Sequence, residues 1–161
     1  QPPVGTVGLS EAAAWAEQPF AREQNGDNPF RVQHDLQSMM QAKVGIVRTE
    51  VEMQEALPAL EELQSRAKIA PISGNRDFNP GWHTAMDLTN LLTISEAITR
   101  AAIERKESRG AHFREDFPDK DPEAAKFNVV VRKGPGGQMV VVQVPTVAQS
   151  DDQMAVIKEM G

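Results

Sequence analysis

Between Lys106 and Asp121 the sequence KESRGAHFREDFPDKD places nine charged residues, one histidine and two phenylalanines in sixteen positions. Arg109 and Arg114 carry planar forks that match carboxylate geometry, and His112 between them titrates near neutrality. The trio therefore has the parts to bind a dicarboxylate and hand it a proton. The competing outcome is structural: Glu107, Glu115, Asp116 and Asp119 lie close by in the chain, and ion networks perturb the same groups that active sites do. The structural outcome is the stronger reading. Gly110 is expected to end the preceding helix in a left-handed cap, and Pro118 forbids its resumption. That leaves His112 and Arg114 on irregular chain, which either stitches its own domain together or presents donors to a neighbour.

No other group of residues offers comparable chemistry. The chain has no cysteine, and His34, His83 and His112 are widely spaced, so neither a disulfide nor a metal site is expected. His83, beside Trp82 in the first turn of a long helical pattern, is expected to be neutral and half-buried, and His34, opposite Val32 and Leu36, to be solvated. The glycines of KGPGGQ (Lys133 to Gln138) lie between two strand-like runs, whereas a phosphate cradle needs a helix N-terminus after it. G-x-G-x-x-G is absent from the chain, so no flavin or dinucleotide site is expected. Met39, Met40, Met53 and Met86 are read as core filler.

Several helices position this segment. Gln1 to Leu9 reads as a connector, and Ser10 as the cap of a helix running to about Glu23. Asn28-Pro29 opens a second helix, with Val32, Leu36, Met39, Met40 and Val47 at helical spacing. Thr49 and Glu52 have capping-box spacing for a third, whose stripe is Met53, Ala56, Leu57, Leu60, Leu63 and Ala67, with Pro58 on the polar side as an expected kink. Asn79-Pro80 opens the longest, with Leu88, Leu91, Ile98 and Ala102 expected to face the core and Thr93, Glu96, Arg100 and Glu104 opposite. Short connections make these an antiparallel three-helix bundle, spectrin-repeat-like. Phe127 to Arg132 and Met139 to Val144 then form a β-hairpin, which needs a surface to lie against. The fold class is mainly α with an added hairpin: a linker and leading helix over 1–27, the bundle over 28–121, the hairpin over 122–146 and a mobile tail over 147–161.

At 161 residues and a net charge of -6, one core is the default and binding to nucleic acid or anionic membranes is disfavoured. No apolar run approaches the roughly eighteen residues of a membrane span. The chain opens on Gln1, which suggests a piece of a longer polypeptide.

The run ESRGAHFREDFP (Glu107 to Pro118), with the helical patterns TEVEMQEALPALEEL (Thr49 to Leu63) and LTNLLTISEAITRAAIERK (Leu88 to Lys106) before it, resembles the C-terminal helical domain of the succinate dehydrogenase and fumarate reductase flavoprotein family. The resemblance covers about Asn28 to Val144. It implies a non-catalytic domain of an FAD-dependent enzyme that interconverts succinate and fumarate, with substrate and FAD held upstream. It further implies an upstream flavin-binding domain and an iron-sulfur subunit as partners, a cytoplasmic place at the inner face of the membrane, and an interdomain bracing role for Arg109, His112 and Arg114. The rivals are L-aspartate oxidase, a relative expected to end soon after the motif, and a free-standing helical interaction domain.

Overall fold

The structure, a computed structural model, describes residues 6–160 and begins as helix: α1 spans Thr6–Glu17, followed by a 3-10 turn over Gln18–Ala21. The expected connector falls partly on residues 1–5, outside the described residues. From Thr6 it is helical, so Ser10 lies inside α1 and does not cap it. The alanines at 12–14 favour helix strongly enough to extend it back through Gly8.

Helix α2, Pro29–Lys43, starts where Asn28 Oδ1 accepts the Phe30 amide at 2.9 Å. It stops before Gly45, earlier than the apolar spacing suggests, and Val47–Arg48 is instead a short strand, β1. Helix α3, Glu50–Ile69, has the expected cap: Thr49 Oγ1 accepts the Glu52 amide at 3.3 Å and donates to the Glu52 carboxylate at 2.8 Å. It runs through Pro58, which is exposed. Helix α4, Pro80–Glu104, is capped by Asn79, whose Oδ1 accepts the Trp82 amide while Nδ2 donates to the carbonyls of Ser73 and Asn75.

These three helices pack against one another around Val32, Leu36, Leu60, Leu63, Ala67, Leu88 and Leu92, with a second cluster of Val44, Met53, Ala56 and Ala102. Burying a leucine such as Leu60 is worth roughly 1.5 to 3 kcal/mol. On α3 the buried stripe is the expected one, with Leu57 half-buried. On α4 it is not: Leu88 and Ala102 are buried, but Leu91 and Ile98 are exposed, and Leu92 and Thr99 take the inward positions. Thr99 tolerates burial because its hydroxyl donates to the Ser95 carbonyl at 2.8 Å.

Strand β2, Phe113–Arg114, pairs in parallel with β1, Val47 beside Phe113 and Arg48 beside Arg114. Strands β3, Phe127–Lys133, and β4, Met139–Pro145, form the expected antiparallel hairpin, turning at Gly137 with φ +86°. The hairpin lies on α4, where Gln143 donates to Glu104 at 2.8 Å. The tail contains a helix, α5, Asp151–Met160, whose described side chains are exposed. Among the described residues no helix is long and apolar enough to cross a membrane.

Candidate functional site

The end of α2, the start of α3 and the end of α4 meet at one end of the bundle, and the segment after α4 closes it. Each helix C-terminus leaves carbonyls without intrahelical donors, and each N-terminus leaves amides without acceptors. Arg114 answers for α4. It is 0% exposed, and its Nη1 donates to the carbonyl of Ala102 at 3.0 Å and, more distantly, to those of Ile103 and Arg105. Its other donors meet carboxylates: Nε and Nη2 reach the two Asp116 oxygens at 2.8 Å each, and Nη2 also reaches Glu50 at 2.8 Å. Asp116 in turn accepts the Glu50 amide at 2.8 Å, which satisfies an orphan donor of α3. The guanidinium lies over the Phe117 ring at 5.0 Å.

His112 links the end of α2 to the end of α4. Its Nδ1 sits 2.9 Å from Arg48 Nη1, which can only donate, so the ring accepts there and carries its proton on Nε2, 3.0 Å from the Arg105 carbonyl. Arg48 uses Nε on the carbonyls of Val44 and Gly45 at the end of α2. Burial and the nearby charges of Arg48, Arg114 and Arg105 hold the His112 pKa below its usual 6.5, against the contribution of the Arg105 carbonyl.

Arg109 belongs to a second knot around the fully buried Glu107. Arg109 Nε donates to both carboxylate oxygens at 3.0 and 3.1 Å, Arg105 donates at 2.5 Å, and the Asp121 amide adds a fourth bond at 2.9 Å. Arg105 continues to the carbonyls of Ala124 and Phe127, tying the hairpin's start to the bundle. Arg109 holds Glu107 down to about 2, assisted by the Asp121 amide and Arg105; Arg114 does the same for Asp116, also about 2. Gly110 has φ +58°, though not as a helix cap: α4 ends six residues earlier, and Gly110 makes the tight turn in which Arg109 and His112 exchange backbone hydrogen bonds.

The structure thus brings Arg109, His112 and Arg114 to one end of the bundle, occupies every donor of Arg114 and both ring nitrogens of His112 from within the chain, and leaves Arg109 partly exposed. The dicarboxylate geometry suggested by their types does not form, because Arg114 is sealed and His112 is committed at both ring nitrogens. Of the expected partners, Glu107 and Asp116 pair; Asp119 contributes its carbonyl to the Ser108 amide, and Glu115 contributes its own amide to the Arg48 carbonyl. Sequence reasoning missed Arg48 and Glu50, which lie 64 residues from His112 and Arg114. Arg105, at the motif's edge, was visible but unremarked.

His34 and His83 are both exposed, His83 without the expected half-burial, its ring tilted against Trp82 at 6.1 Å. Among the described residues no His, Cys, Asp or Glu cluster is placed to hold a metal. The glycine-rich turn does not suit a pyrophosphate: the Gly134 and Gly137 amides bond the carbonyls of Gln138 and Gly134, and a strand follows where a helix N-terminus is needed.

Fold and site define an accessory helical domain, a bundle locked at one end by its own charges and carrying a hairpin on its longest helix. The chain belongs to the fumarate reductase flavoprotein C-terminal family, whose model it matches over residues 33–154. The fumarate reductase flavoprotein subunit of Mycobacterium tuberculosis is 30% identical over 123 residues, 76% of this chain and 21% of that protein. L-aspartate oxidase of Streptomyces coelicolor is 32% identical over 106 residues, 66% of this chain and 18% of that protein. Sdh1 of Mycobacterium smegmatis, solved in complex with UQ1, matches with a TM-score of 0.90 at 34% identity over 97% of this chain and 26% of its own. The chain therefore spans about a fifth of the length of the curated relatives it matches.

Proposed function

We propose that this chain is the C-terminal structural domain of an FAD-dependent succinate dehydrogenase or fumarate reductase flavoprotein subunit, and that it braces the flavin domain of an enzyme interconverting succinate and fumarate. The observation that carries the reading is the closed bundle end: within ESRGAHFRED, Arg114 serves the end of α4 and Asp116 the start of α3, while His112 supports Arg48 at the end of α2 and Glu107 holds Arg105, which ties in the hairpin's start, inside a fold that matches its relatives along nearly its whole length. Arg109, His112 and Arg114 form the brace, with a division of labour. Arg114 and His112 hold the bundle end in shape, and Arg109, whose side chain is 38% exposed, is the member able to reach a neighbouring domain. FAD and substrate are handled upstream, the partners are that flavin-binding domain and an iron-sulfur subunit, and the assembly sits at the inner face of the membrane.

The test is expression of the full reading frame. Flavin absorbance together with succinate-dependent reduction of an artificial acceptor supports the reading; a flavin-containing protein that oxidises L-aspartate and ignores succinate moves the chain to the aspartate oxidase branch. That second reading has the Streptomyces coelicolor match in its favour, and the hairpin beyond Pro122 weighs against it. A full-length protein without flavin refutes both.

A further inference from the structure

The two-stranded sheet at the closed end is inverted in polarity. In a strand successive side chains point to opposite faces, and a soluble domain is expected to turn its apolar set inward and its charged set outward. Here Arg114, 0% exposed, and the half-buried Arg48 are the inward pair, held by helix carbonyls and carboxylates. Their sequence neighbours Val47 and Phe113, paired side by side in the register, are the outward pair, with Val47 52% exposed. Ile46 just before Val47 and Val51 in the first turn of α3 are 77% and 67% exposed. The Asp116 bond to the Glu50 amide ties that first turn to the same segment. Chain regions more than sixty residues apart are thus pinned by buried charges so that an apolar surface faces out.

We propose that Ile46, Val47, Val51 and Phe113 form the docking surface of this domain for the polypeptide preceding it in the parent subunit. This rests on, and deepens, the reading above: the buried charges do not themselves face the neighbour but hold an apolar patch against it. The matched Sdh1 chain is only 26% covered by this domain, so a large body of tethered polypeptide is available to cover the patch, and a tethered partner binds as an intramolecular one. A second copy fits poorly. The patch is bordered by Glu50 and the exposed Glu115 on a chain of net charge -6, and like charges would oppose each other across a symmetric contact.

Hydroxyl-radical footprinting of the full-length subunit beside the 161-residue chain, in wild-type and Val51→Asp forms, tests this. The expected result is severalfold slower oxidation of Phe113, Val47 and Ile46 in the full-length wild type than in the 161-residue chain. Val51→Asp should abolish that protection in the full-length protein while leaving the 161-residue chain's melting unchanged, because an acidic residue suits the first turn of a helix. Equal oxidation in both wild-type proteins overturns the proposal. So does protection that appears only after adding the iron-sulfur subunit, or that grows with concentration in the 161-residue chain. Flavin absorbance of the full-length sample reports separately on the parent activity: a colourless protein with a protected patch refutes the flavoprotein reading and keeps the docking surface, and a yellow protein with an exposed patch does the reverse.

Discussion

Both ends of the bundle are closed by an arginine on the last carbonyls of a helix, and they differ in what stands behind it. At the end where α2 and α4 begin, Arg22 Nη1 donates to the carbonyls of Ala67 and Ala70 at 3.1 and 2.6 Å, while its Nε is buried without a partner and burial lowers its pKa. At the other end Arg114 reaches equivalent carbonyls but also holds Asp116 and Glu50, and these raise its pKa against the cost of burial. Around Arg22 itself the contacts are neutral, because the carboxylates at that end, Asp27 and Asp35, pair with Arg66 at 2.6 and 2.5 Å instead. The second closure is over-determined, since Arg114 has two counter-charges and one of them, Asp116, also accepts the amide that opens α3, while Arg48 is held by the α2 carbonyls and the His112 ring. An over-determined end keeps its shape under load, which suits a surface that must dock.

The largest expected effect comes from breaking that closure. Arg114→Ala leaves Asp116 and Glu50 without their guanidinium and the Ala102 and Ile103 carbonyls without its donor, and should cost the 161-residue chain about 3 to 5 kcal/mol by urea denaturation. Arg114→Lys should recover only part of this, since a point charge cannot span both carboxylates. Leu60→Ala and Leu92→Ala should each cost about 2 to 5 kcal/mol, as buried leucines leave cavities. Arg22→Ala, with no carboxylate left stranded, should cost about 1 to 3 kcal/mol; a loss equal to that of Arg114→Ala would erase the distinction between the ends. Leu91→Ala, on the exposed side of α4, should stay near half a kcal/mol.

Acid sharpens the same comparison. His112 is held below 6.5 in the folded chain, so its contribution is full above that pH and is lost as pH falls from there toward the folded value. Glu107 and Asp116, lowered from 4.5 and 3.8 to about 2, contribute fully above about 4.5 and lose that contribution as pH falls toward 2. Melting temperature should therefore begin to decline below pH 6.5 and fall further between 4.5 and 2. His112→Gln should remove the first decline only.

Much of this architecture was legible. Asn28-Pro29, the Thr49 and Glu52 capping box, Asn79-Pro80 and the KGPGGQ turn are local devices whose chemistry lies within a few residues, and each marks its element correctly. The face of α4 was not, because Leu88, Leu91, Leu92, Ile94, Ile98 and Ala102 make two overlapping stripes and the true one passes through a polar residue, Thr99. The start of α1 was hidden by Gly5 and Gly8. At the site, the trio was visible as a charged cluster, but its direction was not: composition places arginine outside, and only the pairing of β1 with β2 turns Arg48 and Arg114 inward. Contacts spanning 64 residues leave no local trace in the chain.

Native-state hydrogen exchange by NMR addresses the contrast between the two ends most directly. The Arg114 amide, donated to Ser108 Oγ at 2.9 Å, and the Glu115 amide, donated to the Arg48 carbonyl at 2.9 Å, lie within the over-determined closure. The Ile72 amide, donated to Pro19 at 3.4 Å, lies at the opposite end. Arg114 and Glu115 should exchange only through global unfolding, with the same free energy and denaturant dependence as the Leu60 amide in the core, and Ile72 should exchange through a smaller local opening. Exchange of Arg114 and Glu115 by local opening, as fast as Ile72 and independent of denaturant, would contradict the account.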